Sequence, residues 1–152
     1  MAQIPAASLP PLSTTVTGPA TGPGILLAHG ATGSIEGNYA ELIPALAASG
    51  HRVVAPDYPG SGRTPRAADP LTLDGLADAL VAEAVRGGLE TFTLIGFSLG
   101  TAVSVRVAAR HPERCAGSYS PRGSPGPTTV RTSGSTCGCA FWTARTMRGS
   151  PR

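Results

Sequence analysis

The chain has 152 residues, enough for one modest domain with its own core. It is 41% hydrophobic but only 5% aromatic and 14% charged, below the roughly 25% charged residues of typical domains. Its net charge of +3 is a property of the tail: residues 1–115 carry seven Arg against nine acids, whereas residues 116–152 carry five Arg and no acid, with no interleaved aromatic surface for stacking bases, which argues against a nucleic-acid partner.

Cys115, Cys137 and Cys139 are too few and too odd in number for a disulfide framework. The Cys137-x-Cys139 pair has no nearby His or acid and is a poor zinc site, so neither a metal nor a cofactor is expected. Met1–Pro11 has no basic region followed by an apolar run, so no signal peptide is expected. No stretch approaches the roughly 18 apolar residues of a membrane span. The expectation is a soluble, cytoplasmic protein without a membrane partner.

Residues 1–23, rich in Pro, Ala, Ser, Thr and Gly, read as a flexible lead-in with one weak strand near Ser13–Thr17. Gly24-Ile-Leu-Leu-Ala28 is a short apolar run bounded by breakers, the pattern of a strand buried on both faces. Asn38, three residues before Glu41, predicts a capped helix start. Leu42, Ala45 and Leu46 continue it, with a kink expected at Pro44 and a stop at Gly50. A second buried strand, Arg52-Val-Val-Ala55, runs into the turn Pro56-Asp-Tyr-Pro-Gly-Ser-Gly62.

Thr72 caps the next predicted helix, whose apolar stripe is Leu73, Leu76, Ala77, Leu80 and Ala84 and whose end is Gly87-Gly88. A third strand, Thr91–Ile95, leads through Ser98 to a helix over Thr101–Arg110, stopped by Pro112. Strands and helices alternating in this way predict right-handed crossovers and a parallel α/β sheet.

The strongest feature is Gly96-Phe-Ser-Leu-Gly100, a G-x-S-x-G between a buried strand and a helix. A serine on so sharp a turn projects above the sheet, and the two glycines let helix and strand approach without a Cβ clash. The helix N-terminus then aims free N–H groups at a site where negative charge can develop. His29-Gly30-Ala31-Thr-Gly33 follows the first strand directly, and Asp57-x-x-Gly60-x-Gly62 follows the second.

These three motifs, in this order, resemble the α/β-hydrolase family over residues 24–117. The resemblance implies that Ser98 is the nucleophile, that Gly96 and Gly100 shape its elbow, and that the N–H groups of Leu99 and Ala31 form an oxyanion hole. His29 and Gly30 would shape the neighbouring turn, with His29 and Asp57 structural. The implied chemistry is attack of the serine on an ester, thioester or lactone carbonyl through an acyl-enzyme, with a small-molecule substrate. An Asp at the elbow would have suggested a dehalogenase or epoxide hydrolase. The letters Gly30-Ala-Thr-Gly33 also suit a dinucleotide-binding turn, but position 36 is Glu and the chain has no Lys for a Tyr-x-x-x-Lys pair.

In the family the triad runs serine, acid, histidine along the chain. After Ser98 the only His is His111 and the only acid is Glu113, at the far end of the elbow helix and roughly 20 Å from the serine at about 1.5 Å per residue. After Ala116 the apolar pattern ends: Ser, Thr, Gly, Pro and Arg fill 26 of the 35 positions in 118–152. That tail is expected to be disordered.

Its abrupt onset near Cys115 suggests a hydrolase fold truncated after the elbow helix by a shifted reading frame. The nucleophile strand would then be left as an exposed edge prone to self-association. A non-catalytic binding module of the same fold is the alternative.

Overall fold

The computed structural model describes residues 9–116 in full and the backbone of 130–132, 135–137 and 139–141. Strands β1 (Thr14–Thr17) and β2 (Gly24–Ala28) are followed by helices α1 (Ile35–Tyr39) and α2 (Leu42–Ala48), then by β3 (Arg52–Pro56), α3 (Leu73–Arg86), β4 (Thr93–Gly96) and α4 (Leu99–Arg110). Three short strands follow: β5 (Val130–Thr132), β6 (Ser135–Cys137) and β7 (Cys139–Phe141). One sheet has the order β1-β3-β2-β4-β7, with β1 antiparallel to β3 and the other pairs parallel.

The two-residue period of the strands sorts their side chains onto two faces. Leu26, Ala28, Val54 and Leu94 meet Leu76, Leu80 and Ala84 of α3 and Val103 and Val107 of α4. On the other face Ile25, Leu27, Val53 and Ala55 meet Ile35 and Tyr39 of α1, with Leu42, Ile43 and Leu46 of α2 packed against them. Strands buried on both sides are apolar at their buried positions, which is why β2 and, after Arg52, β3 read as unbroken runs. Leu80 is fully buried in the larger cluster. Leu80→Ala is expected to cost about 2–5 kcal/mol by leaving a cavity, read as a lower urea midpoint with an unchanged slope.

The caps follow local chemistry, with one difference from expectation. Thr72 caps α3 as predicted, its Oγ1 accepting from Gly75 N at 3.0 Å. The first helical segment begins earlier than Asn38: Ser34 is the cap, accepting from Gly37 N at 3.0 Å. Asn38 therefore lies inside α1, where its side chain serves another purpose. Pro44 falls in the first turn of α2, where its missing N–H costs that helix no hydrogen bond, and the helical stretch is interrupted at Ala40–Glu41, where Pro44 has no N–H to offer Ala40 O.

The lead-in is structured from residue 9 onward. β1 pairs along β3, and Arg52 donates through Nη1 to Gly18 O at 3.0 Å. On the outer surface Arg106 meets Asp74 (Nε–Oδ1 2.6 Å), while Arg110 and His111 both meet Asp78. Hydrogen bonding from Arg110 holds the Asp78 carboxyl below its ordinary range. These exposed pairs tie α3 to α4 but add little stability individually.

The strand before Ser98, β4, is not the open edge that the sequence suggested. Phe92 bridges to Cys115 in parallel, and Leu94–Gly96 pair with Cys139–Phe141. Unpaired N–H and C=O groups on a buried strand are costly, and the backbone of Cys139–Phe141 pairs with them. The tail, expected to lack structure, thus contributes β7 to the sheet and pairs β5 with β6, Thr132 opposite Ser135. The other residues of 117–152, where disorder was expected, and residues 1–8 lie outside the described residues.

Candidate active site

The parallel register brings the sequence motifs to one end of the sheet. Ala28 at the end of β2 lies opposite Gly96 at the end of β4. The His29-Gly30-Ala31 turn and the Phe97-Ser98-Leu99 turn therefore leave the sheet side by side, at the carboxyl ends of parallel strands, where ligands bind in open α/β sheets. Phe97 N donates to Ala28 O at 3.0 Å and joins the two turns. A Cβ on Gly30 would lie 3.1 Å from the Phe97 ring, so the two turns are in contact.

Ser98 has φ 54° and ψ −115°, and among the described residues it is the sole non-glycine with positive φ. Such a conformation typically costs about 1–3 kcal/mol and is held only where the surroundings enforce it. The surroundings here are two glycines. A Cβ on Gly96 would lie 2.4 Å from Gly100 O, and one on Gly100 would lie 1.9 Å from Ala28 O. Strand, turn and helix are thus packed backbone to backbone, and Ser98 stands exposed immediately before α4. Neither Leu99 N–H nor Ala31 N–H donates to another described residue.

His29 is fully buried beneath this surface. Its Nδ1 lies 2.8 Å from Gly30 O, which can only accept, so Nδ1 carries the proton. Its Nε2 then accepts from Tyr58 N at 3.0 Å, and its ring packs on Tyr58 with centroids 4.0 Å apart. Both ring nitrogens are committed to holding two loops together. Burial lowers the His29 pKa below 6.5 and outweighs the raising effects of Gly30 O and Asp57, so the ring is neutral near pH 7.

The unfolded chain binds a proton on His29 near pH 6.5 while the folded chain resists it, so His29 favours folding fully above pH 6.5 and progressively less below. Unfolding free energies from denaturant titrations between pH 5 and 8 are expected to fall on acidification, by at most about 1.4 kcal/mol per pH unit from this residue. The dependence should flatten in His29→Gln.

Asp57 also acts on loops. Its Oδ1 accepts from Ile35 N at 2.8 Å, and Gly62, with φ 53°, packs so closely that a Cβ there would lie 2.1 Å from Oδ2. His111 caps the far end of α4 and is bonded to Asp78 at 2.8 Å, with Glu113 beside it. Neither His111 nor Glu113 is brought to Ser98. Among the described residues no group of three or more His, Cys, Asp or Glu could hold a metal ion. No described helix is long and apolar enough to cross a membrane.

Two residues at this end of the sheet escaped the sequence reading. Tyr39 Oη donates to Ala28 O at 2.9 Å, and burial keeps its phenol protonated by raising its pKa. Asn38 Oδ1 accepts from Gly30 N at 2.9 Å. The only sequence signal was the pair Asn38-Tyr39 itself, which looks like an ordinary helix start.

The chain resembles known proteins. It is 43% identical over 91 residues to a pyrrolizixenacetamide deacetylase of Xenorhabdus hominickii, covering 60% of this chain and 34% of that protein. It is 36% identical over 98 residues to epoxide hydrolase B of Mycobacterium tuberculosis, covering 63% of this chain and 27% of that one. A crystal structure from work on carboxylesterases of Nitrososphaera gargenis superposes with a TM-score of 0.65 at 28% identity, over 74% of this chain and 41% of that chain. The chain thus spans about a third of the length of the curated relatives it matches. The family model of the alpha/beta hydrolase fold matches residues 23–122, which include every motif at the carboxyl end of the sheet, and the chain belongs to that family.

Proposed function

We propose that this chain carries the nucleophile half of a serine hydrolase acting on a small molecule with an ester-like carbonyl. The observation that carries this reading is Ser98, exposed and held at φ 54° on a turn where two glycines leave no alternative packing. Ser98 Oγ attacks the carbonyl carbon, and the carbonyl π pair moves to oxygen. The N–H groups of Leu99 and Ala31 donate hydrogen bonds to that oxyanion, each such donor being worth about 3–4 kcal/mol in the transition state. Collapse breaks the bond to the leaving group, which takes the serine proton, and water later releases the acyl group. Half-buried Phe97 and Leu99 supply apolar walls beside the serine.

Full activity needs a base that the described residues do not bring to Ser98. We propose that the triad acid and histidine are encoded beyond Cys115 in a different reading frame, which the change of composition after Ala116 supports. Sequencing the coding DNA and translating all frames tests this. A frame continuing with apolar strands, an Asp and a late His is expected; none in any frame would overturn it. We further propose a cytoplasmic location for the working enzyme.

The chemistry itself is tested by exposing the purified full chain to p-nitrophenyl acetate and mapping acetylated peptides by mass spectrometry. Slow acetylation at Ser98, lost in Ser98→Ala, is expected, because oxyanion donors alone retain part of the rate when a triad is incomplete. Acetyl groups spread over other side chains, with none on Ser98, would contradict it. The engagement of His111 by Asp78, away from the serine, favours a second reading, a binding module that keeps the pocket without turnover. Ligand-dependent protection of the elbow without acylation would support that reading instead.

A further inference from the structure

We infer that Asn38 is a positioning residue for the oxyanion hole, clamping the Gly30 backbone so that the Ala31 N–H faces the nucleophile. The inference rests on the serine-hydrolase reading and adds to it a residue outside the three motifs. Two peptide planes meet at Gly30. The plane before it carries Gly30 N, which donates to Asn38 Oδ1 at 2.9 Å. The plane after it carries Gly30 O and Ala31 N. Gly30 O lies 2.8 Å from His29 Nδ1 and accepts from Gly33 N at 3.2 Å.

Peptide groups here are all trans, so an N–H points opposite to the C=O of its own plane. Fixing Gly30 O therefore fixes the direction of Ala31 N–H, turned away from His29 and Gly33. With both planes fixed, Gly30 keeps no torsional freedom, although glycine would otherwise have the most of any residue. The Asn38 amide also fills the space inside the turn: a Cβ on Gly33 would lie 2.6 Å from its Oδ1. Asn38 reaches the turn from inside α1, whose start is fixed by Ser34 and whose next residue, Tyr39, holds Ala28 O. One short helix thereby sets the turn on both sides of His29, while Ala31 N–H is left without a partner among the described residues.

The test combines amide hydrogen exchange with the kinetics of Ser98 phosphonylation by a fluorophosphonate, using the full chain, Asn38→Ala and Asn38→Asp. In Asn38→Ala the Gly30 amide is expected to exchange about tenfold faster or more, because its acceptor is gone. The maximal phosphonylation rate is expected to fall about tenfold or more, with the half-saturating probe concentration unchanged, since the loss falls on the transition state. Asn38→Asp keeps an acceptor oxygen at the same reach and should restore Gly30 protection even if the alanine variant folds poorly. Unchanged Gly30 exchange in Asn38→Ala would overturn the clamp. Faster exchange with an unchanged phosphonylation rate would overturn the positioning role. If no chain is phosphonylated while Gly30 exchange responds, the hydrolase reading fails, the positioning role fails with it, and the clamp remains as a structural feature only.

Discussion

Gly100→Ala is expected to destabilise the protein by about 3 kcal/mol or more, with Gly96→Ala close behind, read as the loss of urea midpoint. The added methyl would stand 1.9 Å from Ala28 O, a backbone atom that cannot retreat without breaking the β2–β4 register. Overpacking in cores usually costs about 1–3 kcal/mol because flexible side chains give way, and here there is none to give way. Gly50→Ala provides the contrast. Its Cβ would meet nothing within 4 Å, and its penalty, from φ 91° alone, should be near 1 kcal/mol. Equal losses at the two positions would show that the strand–helix approach is looser than described. Because α4 begins at Leu99, any shift of the helix also moves one proposed oxyanion donor.

Ser98→Gly is expected to raise stability by about 1 kcal/mol while abolishing acylation and phosphonylation, because glycine tolerates the turn conformation and carries no hydroxyl. Ser98→Ala should abolish the same reactions without that gain, since alanine suffers the same positive φ. The difference between the two variants isolates the strain stored at the elbow. It follows the pattern of sites whose function is maintained against stability. If the glycine and alanine variants melt alike, the backbone at residue 98 is not strained.

The sequence was legible wherever one local rule dominated. Gly24–Ala28, and β3 from Val53 to Pro56, are apolar because both of their faces are buried, and Thr72 stands before α3 because an exposed helix start needs an acceptor. The elbow was legible because the spacing of Gly96 and Gly100 follows from the close approach of backbones at this turn. Asn38 was misread because a polar residue three before a Glu satisfies the pattern of a cap, whereas the actual cap is Ser34 and the Asn38 amide turns to Gly30, eight residues back.

Tyr39 shows the limit in another way. Nothing near it in sequence indicates that its hydroxyl finds Ala28 O, a contact set by how α1 lies on the sheet. The pairing of β7 with β4 was hidden for a different reason. Composition averaged over the tail is polar, and three residues, Cys139–Phe141, are too few to alter that average.

The most direct test is the intact mass and peptide map of the full chain after treatment with a fluorophosphonate. A single adduct on Ser98, absent from Ser98→Ala and lost on prior unfolding in urea, is the predicted result, because the proposed oxyanion donors beside that hydroxyl exist only in the folded elbow. A folded, monomeric chain that takes up no adduct, or takes it up equally after unfolding, would contradict the assignment of Ser98 as a nucleophile.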